Sequence, residues 1–218
     1  MSLTEGVHNR IKELIILGEL GPGEKLSETE LAKAMNVSRT PIREAFRQLE
    51  RTGYITAISN KGAYVSKLAP REIEEIYNVV SLLEGYAAEL AAKATSDNQL
   101  RHLKNLQKEL SVCATQKKYR EYMEKNTVFH RYIAELTGNG TLLKAISDLR
   151  LRVYRYRFMS VTIPGFLERY AFDHEKIIEA IEKRDSLKAR KCMIQHVSFV
   201  KEVLVGFLKE QISIGIPK

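Results

Sequence analysis

Two short helical patterns, separated by a three-residue polar turn and followed at once by a β-prone run, leave the chain little freedom between Leu26 and Gly62. The first pattern opens at Ser27, a residue suited to cap a helix, and repeats apolar Leu31, Ala34 and Met35 at i, i+3 and i+4. Asn36-Val37-Ser38 supplies the turn, with Ser38 placed to cap the second helix. Pro41 sits in that helix's first turn, where its missing N–H costs nothing. Ile42, Ala45, Phe46 and Leu49 then fall on one packing stripe. Arg39, Arg43 and Arg47, four apart, fall on a neighbouring stripe that stays outside. Three guanidinium groups along one edge repel one another unless an anion lies beside them. Duplex DNA offers such an anion, because arginine presents a planar donor fork to G O6/N7 or to phosphate. A solvated face, with Glu44 and Glu50 offsetting the charge, satisfies the same spacing.

The next residues favour the first of these readings. Tyr54-Ile55-Thr56-Ala57-Ile58 reads as a strand, Ser59-Asn60-Lys61-Gly62 as a turn and Ala63-Tyr64-Val65-Ser66 as a second strand. A helix-turn-helix followed by a hairpin is a winged helix-turn-helix, which sets its second helix in the major groove and its hairpin on the backbone or minor groove. Over roughly residues 5–66 the segment resembles the DNA-binding domain of GntR-type bacterial transcription regulators. The resemblance is carried by Leu26-Ser27-Glu28, Leu31-Ala32, Val37-Ser38-Arg39-Thr40-Pro41-Ile42-Arg43-Glu44-Ala45, Leu49-Glu50, Gly53 and Gly62. It implies that Arg39 and Arg43 contact bases or phosphates, that Thr40 and Pro41 approach the backbone, and that Gly62 lies at the wing tip. Arg47 and Lys61 join them on geometry and charge.

Residues 5–18 form a preceding helix with Val7, Ile11, Leu14, Ile15 and Leu17 on its apolar face, and Gly18 to Gly23 punctuates it. That glycine run is a turn rather than a phosphate loop, since no strand precedes it and no Gly-Lys-Ser/Thr follows. Of the 218 residues, 44% are hydrophobic and 28% charged, with no apolar run long enough to cross a bilayer and no signal-peptide pattern. Cys113 and Cys192 are too few for a disulfide framework, which fits a reducing cytoplasm. The net charge of +8 does not single out the reader: residues 1–68 hold 10 basic and 8 acidic side chains, the remainder 25 and 19. Recognition therefore rests on where a few arginines sit.

Residues 1–68 are expected to be the reader and 69–218 a second domain, with Pro70 opening its first helix. Helices are predicted near 70–94, 97–115, 117–137, 141–159, 165–183 and 185–211, with Ser96, Thr141 and Asp185 as caps and breaks at Gly138-Asn139-Gly140 and Pro164-Gly165. Six helices with short connections imply an antiparallel all-α bundle, so the chain as a whole is mainly α with one small hairpin.

Within the bundle, Asn126 and His130 lie one turn apart on one helix, and His174 and His196 stand on apolar flanks of two later helices. Three imidazoles in one core require hydrogen-bond partners or a metal. Three His with an oxygen ligand suit Zn²⁺ first, then Ni²⁺ or Mn²⁺. Separate, ordinarily packed histidines satisfy the same spacing. The segments Asn126 to His130 and His174 to Ile181, with Asp185 and His196, are similar to the ligand-binding domain of FadR-like GntR regulators, the FCD type. That resemblance implies a metal on His130, His174, His196 and position 126, and a small organic acid as effector. This chain departs from the family twice. Asn126 stands where Asp is usual, and Val80 stands where an Arg often precedes the Leu83-Glu84 pair and holds the acid. The cation must come from elsewhere, and Arg150, Arg152, Arg155 and Arg157 are the supply; Arg150 and Arg157 share one stripe, Arg152 and Arg155 another. Arg150 and Arg157 are taken as the effector-binding pair. His102 is expected on a polar face, and Tyr119, Tyr122 and Tyr132 in packing.

The functional expectation is a homodimeric repressor on a palindromic operator, working in the cytoplasm without membrane contact and controlled by an acid in the bundle. A metal-dependent enzyme is the competing class, with Glu135 and Glu175 as general bases by proximity in sequence alone. A third reading gives the metal a purely structural role.

Overall fold

In the computed structural model, which describes residues 2–163 and 165–213 with the side chains of Arg155 and of 211–213 excepted, the chain divides into two units between Ala69 and Pro70. Nine helices and three short strands make up the described residues.

The first unit begins with α1 (Leu3–Leu17). It starts two residues before the expected position because Ser2 and Glu5 form a reciprocal capping box, the Glu5 N–H donating to Ser2 Oγ at 3.2 Å and the Ser2 N–H to Glu5 Oε2 at 2.7 Å. After the glycine turn comes β1 (Lys25–Leu26), a strand the sequence did not announce. It pairs with β3 (Gly62–Val65), which also pairs with β2 (Ile55–Ile58), giving an antiparallel sheet in the order β1-β3-β2. The wing is thus three-stranded. Two residues carry too little periodicity to be read as a strand, and the pairing is fixed from outside by Gly23 N–H to Val65 O and Val65 N–H to Glu24 O, both 2.9 Å. The turn between β2 and β3 places Asn60 in the left-handed region at φ 61°, and Gly62 follows at φ 102°, where a side chain would be strained.

Between β1 and β2 lie α2 (Glu28–Ala34), capped by Ser27, and α3 (Arg39–Arg51). Ile42, Ala45 and Leu49 are fully buried and Phe46 nearly so, against Val7, Ile11 and Ile15 of α1. Burying one such aliphatic side chain contributes about 1.5–3 kcal/mol, so this stripe holds α3 in place. The expected stripe of α2 is only partly right. Ala32 is its buried residue, Leu31 and Met35 are half-buried and Ala34 is exposed, because a seven-residue helix rests on α3 by one narrow edge. Ser38 occupies the N-cap of α3, but its hydroxyl makes no capping bond.

The second unit contains α4 (Pro70–Ala94), α5 (Asp97–Thr115), α6 (Tyr119–Glu135), α7 (Gly140–Val161), α8 (Phe166–Glu182) and α9 (Ser186–Ser213). Ser96 caps α5 through a box with Gln99, and Asp185 caps α9 by accepting from the Lys188 N–H at 3.0 Å. Thr141 does not cap α7; Asn139 does, its Oδ1 accepting from the Leu142 N–H at 3.0 Å, since the helix already begins at Gly140. Gly165 precedes α8 at φ 78°, and Pro164 of the expected break lies outside the described residues. Helices α4 and α9 share the longest contact among the described elements. At Gly85 they lie close: a Cβ there would be 2.6 Å from Ile194 Cγ1. Long inward-facing helices give this unit an interior deep enough to bury polar groups. Among the described residues, no helix is long and apolar enough to cross a membrane.

Candidate DNA-reading face and metal centre

Packing of Ile42 and Leu49 leaves the other side of α3 in solvent, and Arg39, Thr40, Arg43 and Arg47 are all exposed there. Arg43 and Arg47 line a hollow of about 340 Å³ between α3 and the wing, together with Asn60 and Gly62; Lys61 is exposed beside it on the turn. Pro41 behaves differently from its neighbours. It is buried on the packed side, so it starts the helix rather than presenting a surface.

The arginine stripe already has an anion. Glu28, in the first turn of α2, accepts from Arg43 Nε at 3.2 Å and Nη2 at 2.9 Å, and from Arg39 Nη2 at 3.2 Å. The hydrogen bond from Arg43, with Arg39 adding to it, holds the Glu28 carboxyl below its ordinary range, and Glu28 raises Arg43 in return. One carboxylate thus fixes two guanidinium forks side by side. Glu28 belonged to the Leu-Ser-Glu motif, but nothing in its spacing announced this contact.

In the second unit α6, α8 and α9 bring His130, His174 and His196 into one cluster, each no more than 2% exposed, with candidate ligand nitrogens within 4.8 Å of one another. Each outer ring nitrogen has an oxygen near it, and that of His174 is hydrogen-bonded. Gln107 of α5 donates its Nε2 to the Ala171 carbonyl at 3.1 Å, which turns its Oε1 to His174 Nδ1 at 3.0 Å. His130 Nδ1 lies 2.8 Å from Glu84 Oε2 of α4, and His196 Nδ1 lies 3.9 Å from Asp173 Oδ2. With the proton on Nδ1, the tautomer that Gln107 favours at His174 and Glu84 at His130, the Nε2 lone pairs of these rings turn inward. His174 Nε2 and His196 Nε2 stand 3.3 Å apart. Ligand nitrogens on a tetrahedral zinc, each about 2.0–2.1 Å from it, are about 3.3–3.4 Å from each other. The donor set fits a divalent metal. Asn126, one turn before His130, is fully buried, and neither amide atom has a hydrogen-bond partner among the described residues.

Electrostatics agree with the donor geometry. Burial, with Arg150 and Arg157 adding to it, lowers His174 to about 3, and burial above all pushes His130 and His196 well below their usual range. The imidazoles are neutral, as ligands must be.

Arg150 and Arg157, seven apart on α7, both reach this interior. The Arg157 side chain is 2% exposed, and its Nη1 and Nη2 have no hydrogen-bond partner among the described residues. The Arg150 side chain is 11% exposed and forms an ion pair through Nε with Glu84 Oε1; burial foremost, and then Arg157, lowers it to about 10 despite that carboxylate. Both arginines also line a cleft of about 390 Å³ between α6 and α7, with Thr127, Arg131 and Tyr154. Arg152 is exposed, and the Arg155 side chain lies outside the described residues. Val80 is buried at 1% and offers only an aliphatic wall.

Tyr122 is fully buried in the packing, edge-on to Tyr170, and Tyr132 lies edge-on to the exposed His102; Tyr119 is half-buried. Glu135 and Glu175 are both exposed, on the outer faces of α6 and α8, so neither reaches the histidines as a base. The sequence points to the three histidines; Glu84 stands in it only as part of the Leu83-Glu84 pair, and Gln107 and Asp173 are not singled out. Asp173 directly precedes His174, and that adjacency is its signal.

Residues 3–65 match the model of the family described as bacterial regulatory proteins, gntR family, and residues 75–199 match that of the FCD domain. The chain is 27% identical over 203 residues to the HTH-type transcriptional repressor RspR of Escherichia coli (strain K12), covering 92% of this chain and 88% of that one. It is 30% identical over 200 residues to a probable D-xylose utilization operon transcriptional repressor of Paenarthrobacter nicotinovorans, covering 88% and 86%. Among solved structures, E. coli McbR/YncC has the same fold, with a TM-score of 0.76 at 22% identity over 97% of this chain and 99% of that chain.

Proposed function

The chain belongs to the gntR family of bacterial regulatory proteins and carries an FCD domain, which makes it a transcription regulator and not an enzyme, and from that footing we propose that it is a cytoplasmic repressor controlled by an organic acid bound beside a metal. Operator DNA is read by Arg39, Arg43 and Arg47 in the major groove, with Thr40 near the backbone and Lys61 and Gly62 of the wing on the flanking phosphates. The open start of α3, whose N-cap hydroxyl is unused, favours a phosphate at that end. A palindromic operator calls for two readers and hence a homodimer. Val79, Leu82 and Tyr86, 47%, 57% and 43% exposed along one side of α4, offer an apolar stripe for a second copy.

In the bundle, His130, His174 and His196 hold the metal, zinc foremost with nickel or manganese as alternatives, and Asn126 adds a neutral oxygen. The bound metal supplies a positive charge that an acid can meet. The observation that carries the sensing reading is Arg157. A buried guanidinium without an anion is costly to keep, and a ligand carboxylate removes that cost. An acid that binds one arrangement of the dimer more tightly shifts the population of operator-bound protein.

A thermal-shift panel of small carboxylic acids on the zinc-loaded chain tests this. At least one acid at about 100 times its Kd raises stability by about 2.7 kcal/mol, and Arg157→Gln abolishes that rise. A panel with no response leaves the metal a structural role and overturns the sensing reading.

A further inference from the structure

Glu84 is the one carboxylate among the described residues that touches both the histidine cluster and the arginine pair. It is 2% exposed, and its two oxygens face different neighbours: Oε2 lies 2.8 Å from His130 Nδ1, and Oε1 is ion-paired with Arg150 Nε. The three groups come from three helices, α4, α6 and α7, so no local turn explains their meeting. A buried carboxylate needs one cation to be stable; this one divides itself between a cation and a neutral imidazole. Its second neighbour is a histidine whose other nitrogen faces the cluster. Its first neighbour also walls the cleft between α6 and α7. The residue one turn earlier on α4, Val80, supplies no charge, so Arg150 is the cation that holds Glu84 from this side.

We propose that Glu84 is the positioning residue that joins metal binding at His130 to the charge Arg150 offers in the α6–α7 cleft. The inference rests on the metal reading given above. A cation on His130 Nε2 withdraws electron density from the ring and makes its Nδ1–H a stronger donor. The carboxylate is then drawn towards His130, and Arg150 loses part of its counter-charge. The guanidinium becomes freer to meet an anion entering the cleft. By linkage, an anion that draws Arg150 away leaves Glu84 to His130 and tightens the metal. Metal and acid thus reinforce each other without having to touch.

Two measurements on the full chain test this. Competition against a chromophoric zinc chelator gives the metal affinity, and Glu84→Gln weakens it about 10- to 100-fold, the usual consequence of losing an outer partner of a ligating histidine. In ¹⁵N-labelled protein, the Arg150 Nε resonance, assigned through Arg150→Lys, moves when zinc is added to the wild type and stays in place in Glu84→Gln. Should Glu84→Gln fail to fold, Glu84→Asp keeps the charge but shortens its reach, and carries the same two expectations in weaker form. An Arg150 resonance that ignores zinc in the wild type overturns the proposal. So does one that moves equally in the variant, or a variant with unchanged zinc affinity. A wild type that binds no zinc overturns instead the metal reading beneath it.

Discussion

A single carboxylate sets the state of the reading face. Glu28 holds Arg39 and Arg43 together, so these side chains are ordered before any nucleic acid arrives. Ordering in advance lowers the entropy cost of each base contact, while the carboxylate itself repels phosphate. Glu28→Gln removes the repulsion and the order together. Binding to an unselected duplex tightens about two- to tenfold, while the ratio of selected-operator to unselected affinity falls. Anisotropy titrations at one salt concentration read both, and an unchanged ratio contradicts the role given to Glu28. At this scale the sequence was legible where a pattern repeats and silent where contacts cross elements. The spacing of Arg39, Arg43 and Arg47 showed an exposed stripe. Glu28, Glu84 and Gln107 act on residues 11, 46 and 67 positions away in the chain, and no periodicity links such pairs.

Helix α4 carries three jobs on three sides. Small side chains and Gly85 let α9 lie close, Glu84 faces the histidines, and Val79, Leu82 and Tyr86 remain in solvent. A 25-residue helix with an apolar stripe at spacings of three and four is a ready surface for the same helix in a second copy. Leu82→Asp sets an unpaired charge in that stripe and weakens self-association at least about tenfold, or about 1.4 kcal/mol. Sedimentation analysis checks it; a variant that dimerises like the wild type moves the interface elsewhere. The element boundaries of the bundle were legible because caps and glycines punctuate long amphipathic runs. Strand β1 was not, since two residues paired by distant backbone atoms leave no mark of their own. Thr141 lies inside the first turn of α7 because Asn139, two residues earlier, caps it.

For the whole molecule, a +8 net charge says little, because the reading unit holds only +2 of it. The function proposed rests instead on two local arrangements, an ion-paired arginine couple on α3 and a histidine trio next to a buried guanidinium. Neither histidines nor arginines are unusual singly, and their convergence exists only in the fold. Thermodynamic linkage joins them in the proposed reading: by whatever factor an acid bound at Arg157 alters the affinity for DNA, DNA alters the affinity for the acid. The decisive measurement is an anisotropy titration of an operator duplex, recovered by selection from a random pool, with the zinc-loaded full chain across a panel of small organic acids. At least one acid changes operator affinity by about 5- to 150-fold, and Arg157→Gln removes the change while leaving operator affinity without acid intact. An operator affinity that no acid alters, or a response that survives Arg157→Gln, contradicts the account.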